Sequence, residues 1–174
     1  MLENDRIILR SLELDDVNLL YTWENDRATW RVSHTITPYS QHVLTDYINS
    51  VTDIYSDKQL RLIIELKENK TAVGTIDLFD CDFTNRRAGI GILIADPENR
   101  GKGIASEVLK LILPYCFEVL SFHQLYCNVL IDNPESMALF QKFEFKTVGI
   151  KKDWTFYKGA YYDEALMQKI NSNG

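Results

Sequence analysis

The chain has 174 residues, of which 45% are apolar and 11% aromatic, so it can bury the core of one ordinary domain. Its 25 acidic residues outnumber its 19 Lys and Arg residues, which gives a net charge of −6. An acidic surface disfavours nonspecific binding to nucleic acid and favours cationic partners. No Pro/Ser/Gly-rich linker, fixed-period repeat or block of like charge divides the chain, which predicts a single domain over residues 1–174.

The three cysteines, Cys81, Cys116 and Cys127, lie far apart in the sequence and in apolar surroundings. This spacing suits neither a zinc site nor a disulfide framework, so we expect reduced core residues and no bound metal. The first residues, Met1 to Asp5, lack the basic and apolar regions of a signal peptide, and no apolar run approaches the roughly 18 residues of a membrane span. These features predict a soluble cytoplasmic protein without a membrane partner.

The amino-terminal part of the chain predicts one strand and two helices. Residues 6–12 are a short strand, and a first helix over residues 15–25 begins with two carboxylates followed by apolar residues at helical spacing. A second helix follows Thr37-Pro38 and continues to about Val51. The connection between the two helices is irregular, and it includes His34, for which the sequence offers no partner.

Two apolar runs, Leu60 to Leu66 and Ala72 to Phe79, flank a polar turn and predict a hairpin. Three acidic residues lie at or beyond the end of its second strand: Asp77, Asp80 and Asp82. Strand alternation would place Asp77 on one face of a sheet and Asp80 on the other, unless the strand bends. The sequence leaves open whether Asp77 faces a cleft or belongs to a solvated acidic strand end.

A strand, a glycine-containing loop and a helix follow one another between Ile90 and Leu120. The strand Ile90 to Ala95 is apolar and β-branched, and the helix begins after Gly103. Backbone N–H groups in such a loop lie at the positive end of the helix dipole, so they favour an anion such as pyrophosphate. The glycines would let a phosphate approach the backbone, and the basic residues add mobile positive charge, over Arg100, Gly101, Lys102 and Gly103.

The last third of the chain predicts a strand, a helix and a closing hairpin. The strand over residues 124–130 should pair in parallel with Ile90 to Ala95, because a helical crossover connects them. Asn133 is a good N-cap and Pro134 a good first helical residue, which predicts a helix from Pro134 to about Lys142. Strands on either side of Lys158-Gly159 then form a hairpin.

Three motifs in this order resemble the GCN5-related N-acetyltransferase (GNAT) superfamily. Arg100 to Ala105 reads Arg-x-x-Gly-x-Ala directly after an apolar strand, and Asn133 and Ser136 match the family's Asn-x-x-Ser/Ala. The pattern Tyr157-x-Gly159-x-Tyr161-x-Asp163-x-x-x-Met167 resembles the branch that contains spermidine/diamine and ribosomal-protein N-terminal acetyltransferases. The resemblance implies a mixed α/β (α+β) fold, with a largely antiparallel sheet of about six to seven strands, one splayed parallel pair and about four helices.

In that family the loop holds the pyrophosphate of acetyl-coenzyme A, and the backbone of the preceding strand pairs with the pantetheine arm. The resemblance therefore implies acetyl-coenzyme A as the cosubstrate. The residues that it places at the cofactor are Ile92, Leu93, Ile94, Arg100, Gly101, Lys102, Gly103, Ile104, Ala105, Asn133, Ser136 and Phe140. The capping role of Asn133 is compatible with contact to the cofactor.

Three positions depart from the family's catalytic pattern. Phe140 stands where many members have a Tyr that protonates the leaving thiolate, and Gly89 and Asn128 stand at carboxylate positions that serve as bases elsewhere. Proton transfer through water organised by Asn128, a carboxylate such as Asp77, and loss of activity with retained cofactor binding all remain open. The residues assigned to catalysis are therefore Asn128 and Asp77.

The implied reaction is direct attack of a neutral amine on the thioester of acetyl-coenzyme A. An alkyl amine has a pKa of about 10.4 and must first lose a proton, whereas a thiol of pKa about 8.5 leaves with modest help. We expect an N-acetyltransferase for a primary amine, with polyamine-like small molecules ahead of peptide N-termini. The alternatives are a protein N-terminal acetyltransferase of the ribosomal-protein type and a catalytically weak module that binds acetyl-coenzyme A. Assembly as a homo-oligomer is left open.

Overall fold

Eight strands form one mixed sheet in the computed structural model, which describes residues 2–33 and 35–171. They are β1 (Leu2–Glu3), β2 (Ile7–Ser11), β3 (Leu60–Leu66), β4 (Thr71–Asp82), β5 (Arg87–Ile94), β6 (Gln124–Leu130), β7 (Lys146–Tyr157) and β8 (Ala160–Ile170). Their spatial order is β1-β2-β3-β4-β5-β6-β8-β7. The β5–β6 pair is parallel and the other neighbouring pairs are antiparallel, as the sequence predicts. The count exceeds the expected seven because the short β1 pairs with β2.

The helices of the described residues are α1 (Val17–Glu24), α2 (Trp30–Ser33), α3 (Gln41–Ser50), α4 (Ile54–Asp57), α5 (Ile104–Pro114) and α6 (Pro134–Lys142). The four longer ones are the predicted helices. The sequence did not predict α2 and α4, because four residues are too few to show helical periodicity. The helix predicted to continue to Leu120 instead changes after α5 to a π-helical turn over Tyr115–Val119. His34 lies outside the described residues.

Local capping explains where two of the helices begin. The Ser40 side chain accepts a hydrogen bond from the Val43 amide at the start of α3. At the start of α6, Asn133 Oδ1 accepts from the Ser136 amide at 3.2 Å, and Pro134 occupies the first turn. These caps fix the residues at which α3 and α6 begin.

Strand β4 continues past Phe79, where the sequence predicted its end. Its register with β5 shifts between Phe79 and Asp82, and Asp80 lies in this bulge with a φ of 49°. The closing hairpin has a similar irregularity, because β7 is one strand with a register shift between Lys151 and Thr155 rather than two shorter runs. Both bulges change which side chains share a face.

The sheet is covered on both faces, and the two cores are unequal. The larger core packs α5 against one face, with Val108, Leu109 and Ile112 fully buried on Leu78 and Ile90. The three cysteines are free and buried. The smaller core lies on the opposite face, where Leu20 of α1 and Leu44 of α3 pack with Ile63 of β3.

No helix of the described residues is long and apolar enough to cross a membrane. No group of three or more His, Cys, Asp or Glu side chains among these residues could hold a metal ion.

A buried ion pair fastens the entry to α1 onto the sheet. Asp16 is 6% exposed, and its carboxylate accepts hydrogen bonds of 2.8 and 2.9 Å from Arg10, which also binds Glu65. Burial raises the pKa of Asp16, but the hydrogen bonds from Arg10 and from the Glu13 amide, with the charge of Arg10, hold that pKa below its usual value. The ionised form of Asp16 therefore stabilises the fold.

We predict that Asp16→Asn lowers the free energy of unfolding at neutral pH by about 2 kcal/mol, because it removes charge-assisted hydrogen bonds. A carboxyl group with a lowered folded pKa stabilises the protein above its unfolded pKa of about 3.9 and loses that contribution as the pH falls through the folded value. The deficit should therefore shrink at about pH 3, measured by urea denaturation. Asp15→Asn, at an exposed neighbour, is the control. An equal deficit for Asp16→Asn at both pH values would contradict this account.

Candidate active site

The parallel strands β5 and β6 separate soon after they meet. They pair from Arg87 opposite Gln124 to Gly89 opposite Tyr126, and β5 then continues to Ile94 with β4 as its neighbour. The sheet therefore opens into a wedge between the two strands.

Unpaired backbone groups of β5 line this wedge. The Ala95 amide donates to Val73 of β4 at 2.9 Å, whereas the Arg86 carbonyl on the other side accepts from Gln124. Because polar groups of alternate residues point to opposite sides of a strand, the amides of Ile92 and Ile94 face the wedge. Their side chains are also only partly buried. An extended ligand could pair with this edge as a further strand would.

The loop after β5 presents a second set of free amides. Gly101 and Gly103 have φ values of 72° and 80°, and Gly103 begins α5 without a side-chain cap. The amides of residues 101–103 donate to no other residue in the described chain. A Cβ atom at either glycine would meet nothing within 4 Å, so the outer side of the loop is open. This arrangement suits an anion at the helix N-terminus.

The loop is anchored from behind by arginines. Arg6 donates to the Lys102 carbonyl at 3.0 Å and to Glu107 at 2.9 Å. Arg100 Nε donates to the Ile94 carbonyl at 2.9 Å. The expectation that Arg100 supplies mobile charge is therefore wrong, because its guanidinium group binds the backbone at the end of β5. Lys102 is exposed and is the more mobile cation of the loop. The sequence did not predict the contact of Arg6 with this loop, because the two are far apart along the chain.

The helix side of the wedge supplies the remaining predicted cofactor residues. Asn133, Ser136 and Phe140 of the α6 region line the same cleft as Ile92 and Leu93, so the structure brings these positions together. Phe140 is 4% exposed and packs edge-on against Phe145, with ring centroids 5.1 Å apart. It contributes an apolar wall and no proton.

A cleft of about 630 Å³ passes through the wedge. It extends from α6 to the opposite face of the sheet, where α1 and α3 form the far wall. Its polar and aromatic lining residues include Glu24, Tyr47, Arg61, Thr75, Asp77, Phe79, Asn128 and Glu164. Asn128 and Asp77, the two residues assigned to catalysis, therefore share one cleft.

Arg61 joins two carboxylates in this cleft. Its Nε lies 2.5 Å from Asp77 Oδ1 and its Nη1 lies 2.6 Å from Glu24 Oε1. Thr75 donates a hydrogen bond to the second oxygen of Asp77 at 3.2 Å, and the Tyr47 ring lies 5.9 Å from the guanidinium carbon. Asp77 is thus not a solvated strand end. Two carboxylates share one cation, which leaves the cluster with a surplus negative charge.

A second charged group lies around Asn128. Lys151 Nζ donates to Asn128 Oδ1 at 2.9 Å and forms an ion pair with Glu164, which is 3% exposed. The carbonyl oxygen of Asn128 is therefore engaged, while its side chain as a whole is exposed. Glu164 was missed by the sequence, because only the register of β7 on β8 brings Lys151 opposite it.

Gly89, where the family resemblance places a carboxylate in other members, is covered by an aromatic ring. A Cβ atom on Gly89 would lie 2.2 Å from the ring of Phe79, and one on Gly91 would lie 3.7 Å from it. The Phe79 ring meets Tyr126 edge-on with centroids 5.8 Å apart. No side chain fits at Gly89 unless Phe79 moves.

An opened parallel strand pair, with a loop of open backbone amides directly after the first strand, is the arrangement of an acyltransferase of the GNAT class. The chain belongs to this family, because the model of the acetyltransferase (GNAT) domain matches residues 6–146. It is thus an N-acetyltransferase of the GNAT family. The resemblance seen in the sequence is confirmed.

Individual relatives cover nearly the whole chain. Spermidine N(1)-acetyltransferase of Vibrio cholerae is 27% identical, over 97% of this chain and 95% of the relative. The N-acetyltransferase YoaA of Bacillus subtilis is 30% identical, over 94% and 92%. The crystal structure of the Vibrio cholerae spermidine N-acetyltransferase in complex with CoA and spermine has a TM-score of 0.88 and 27% identity, and covers 97% of this chain and 98% of the other.

We predict that Arg61→Met lowers the free energy of unfolding by about 3 kcal/mol, because it leaves Glu24 and Asp77 without their shared cation. Chemical denaturation measures the loss. Arg87→Met is the matched control, since its ion pair with Asp82 is largely exposed and should contribute less than about 1 kcal/mol. Equal losses for the two variants would show that the Arg61 cluster is no stronger than a surface pair.

Proposed function

We propose that this protein is an acetyl-coenzyme A-dependent N-acetyltransferase whose acceptor is a small, cationic primary amine of the polyamine type. The observation that carries the proposal is the cleft through the wedge, which joins the cofactor positions on α6 to a carboxylate cluster on the opposite face. The relatives named as spermidine acetyltransferases support the same acceptor class. We further propose that residues 1–174 act as one domain.

The described residues fit acetyl-coenzyme A in three places. The open amides at Gly101 to Gly103 suit its pyrophosphate, the exposed edge at Ile92 to Ile94 suits its pantetheine amides, and Phe140 offers an apolar wall beyond them. Ile104, Ala105, Asn133 and Ser136 would complete the site. Bound acetyl-coenzyme A would supply an activated acetyl group as a thioester.

The amides in the wedge provide electrostatic stabilisation. The N–H group of Ile92, the nearer of the two to the point where β5 and β6 separate, would face the negative charge that develops on the acetyl oxygen, and that of Ile94 is left for the pantetheine arm. Fixed donors of this kind need no reorganisation during the reaction, so much of the catalysis comes from positioning.

Proton transfer has to proceed without a tyrosine. Phe140 has no proton to donate, and the thiol product, with a pKa of about 8.5, needs little help to leave. For the amine, we propose that exposed Asn128 holds a water molecule that carries the proton away, and that Lys151 fixes the Asn128 side chain. Asp77 contributes charge rather than a free basic oxygen, because Arg61 and Thr75 already engage it.

The surplus negative charge on Glu24, Asp77 and Arg61 favours a cationic acceptor. An α,ω-diamine could keep one ammonium group near this cluster while its other, neutral amine reaches the wedge. A peptide N-terminus offers no second cation at a fixed distance, so the cluster favours the small-molecule reading over the protein-acetylating one.

Thiol release from acetyl-coenzyme A, measured across spermidine, simple diamines and alanine- or serine-initiated peptides, tests the proposal. Release that depends on polyamines supports it. Release with peptides alone would establish the protein-acetylating alternative. Cofactor binding without release for any acceptor would establish a binding module.

The relative from Vibrio cholerae forms a dodecamer, and we propose that this chain also assembles with itself. The edge strand β7 supports this, because Val148, Ile150, Trp154 and Phe156 are exposed along it. Such a row of apolar side chains is typical of an interface.

We predict that Gly103→Glu weakens binding of acetyl-coenzyme A by tenfold or more, about 1.4 kcal/mol, because it places a negative charge beside the pyrophosphate. Titration calorimetry on the folded variant measures the loss. Gly103→Ala separates the backbone cost of a side chain at positive φ from the effect of charge, and Gly159→Glu, in the turn between β7 and β8 and also at positive φ, controls for the added charge. Unchanged affinity for Gly103→Glu would remove the loop from the cofactor site.

We predict that Asp77→Asn raises the KM for spermidine by about tenfold and leaves the affinity for acetyl-coenzyme A unchanged. The expected loss is one charge-assisted contact, which contributes about 1.5 to 3 kcal/mol. Steady-state kinetics on the variant, with exposed Asp5→Asn as control, provide the measurement. Identical spermidine kinetics for the variant and the natural chain would exclude Asp77 from acceptor binding.

A further inference from the structure

A second cavity of about 810 Å³ lies beside the acceptor cleft. It is lined by residues of the five strands β4 to β8, together with Lys58 and the turn that follows β4, and these residues include Asp80, Asp82, Arg87, Gln124, Tyr126 and Gln168. The proposed reaction makes no use of it.

Both cavities lie on the same face of the sheet. Strand alternation puts Thr75, Asp77 and Phe79 on the face that lines the cleft. The bulge at Asp80 then turns its carboxylate back to this face, where it accepts a hydrogen bond from the Tyr126 hydroxyl at 3.3 Å. Asp77 and Asp80 therefore face the same way but lie in different cavities.

The ring of Phe79 stands between the two cavities. It lines the cleft, and its edge-on partner Tyr126 lines the second cavity. The ring rests on Gly89 so closely that a Cβ there would lie 2.2, 2.4 and 2.6 Å from three of its atoms. The ring of Phe79 thus packs directly on the backbone of Gly89 and Gly91, and it cannot move closer to β5.

We propose that Phe79 closes the acceptor cleft at this end and is the residue that limits the length of the amine. The proposal rests on the proposed function and adds a size limit to it. An acceptor that lies in the cleft along the wall of α1 and α3 must end before the Phe79 ring. This one side chain separates the cleft from the second cavity, which opens to solvent on its own side.

Replacement of the ring by a methyl group would join the cleft to the second cavity. The extra methylene groups of a longer diamine would then enter space that they cannot reach from the cleft of the natural chain, and their burial favours binding. The carboxylate of Asp80 would also become available to the far ammonium group. The longer diamine should therefore gain relative to the shorter one.

The test compares diaminobutane, diaminohexane and diaminooctane as acceptors for the natural chain and for Phe79→Ala. We expect the ratio of kcat/KM for diaminooctane to that for diaminobutane to rise tenfold or more in Phe79→Ala, and to rise less in Phe79→Leu. Tyr21→Ala removes an exposed ring that lines neither cavity and should leave the ratio unchanged. An unchanged ratio in Phe79→Ala overturns the proposal.

A second measurement tests the packing of the Phe79 ring on Gly89 independently of activity. Gly89→Ala should lower the melting temperature of the natural chain markedly and that of the Phe79→Ala variant little, because the clash needs both groups. Equal effects in the two backgrounds overturn the packing on which the proposal depends.

The two proposals can fail separately. If the natural chain releases no thiol with any amine, the proposed function is overturned, and calorimetric titration with the same diamines then reads the length preference directly. A preference for longer diamines that appears only in Phe79→Ala supports the proposal that Phe79 limits the length of the acceptor. Absence of binding by both proteins overturns both proposals.

Discussion

The separation of β5 from β6 is the constraint on which the rest of the structure depends. Parallel pairing for three residues is enough to keep both strands in one sheet, and its loss after Gly89 leaves backbone donors without a partner. Unpaired groups of this kind are tolerated only where water or a ligand can reach them. The large core under α5 holds β5 in place through Ile90, while β8 and α6 hold β6 on the far side of the opening.

The elements around the opening could be predicted from the sequence because their signals are local. Strand β6 and helix α6 coincide with the predicted ranges, since alternation and the Asn133-Pro134 cap lie within a few residues of each boundary. The anion-binding loop was predictable for the same reason. Two glycines before an apolar helical run mark a helix N-terminus wherever the chain places it.

The chemistry on the opposite face could not be predicted in this way. Arg61 meets Glu24 of α1 and Asp77 of β4, and Lys151 meets Glu164, through strand register and helix docking that no short segment encodes. The bulge after Phe79 is a further obstacle, because one inserted residue changes the face of every side chain beyond it. The sequence showed that carboxylates were near the site but not that a single arginine engages two of them.

The contact between Phe79 and Gly89 also restricts the paths by which this active site can change. A carboxylate at position 89 and an aromatic ring at position 79 exclude each other, since even a Cβ at position 89 would overlap the ring. A lineage that acquired Glu at position 89 first would pass through a strained protein. One that first replaced Phe79 by a small residue would pass through a folded protein with a wider acceptor range. The path that replaces Phe79 first therefore avoids this strain, and a broader acceptor range is its intermediate stage.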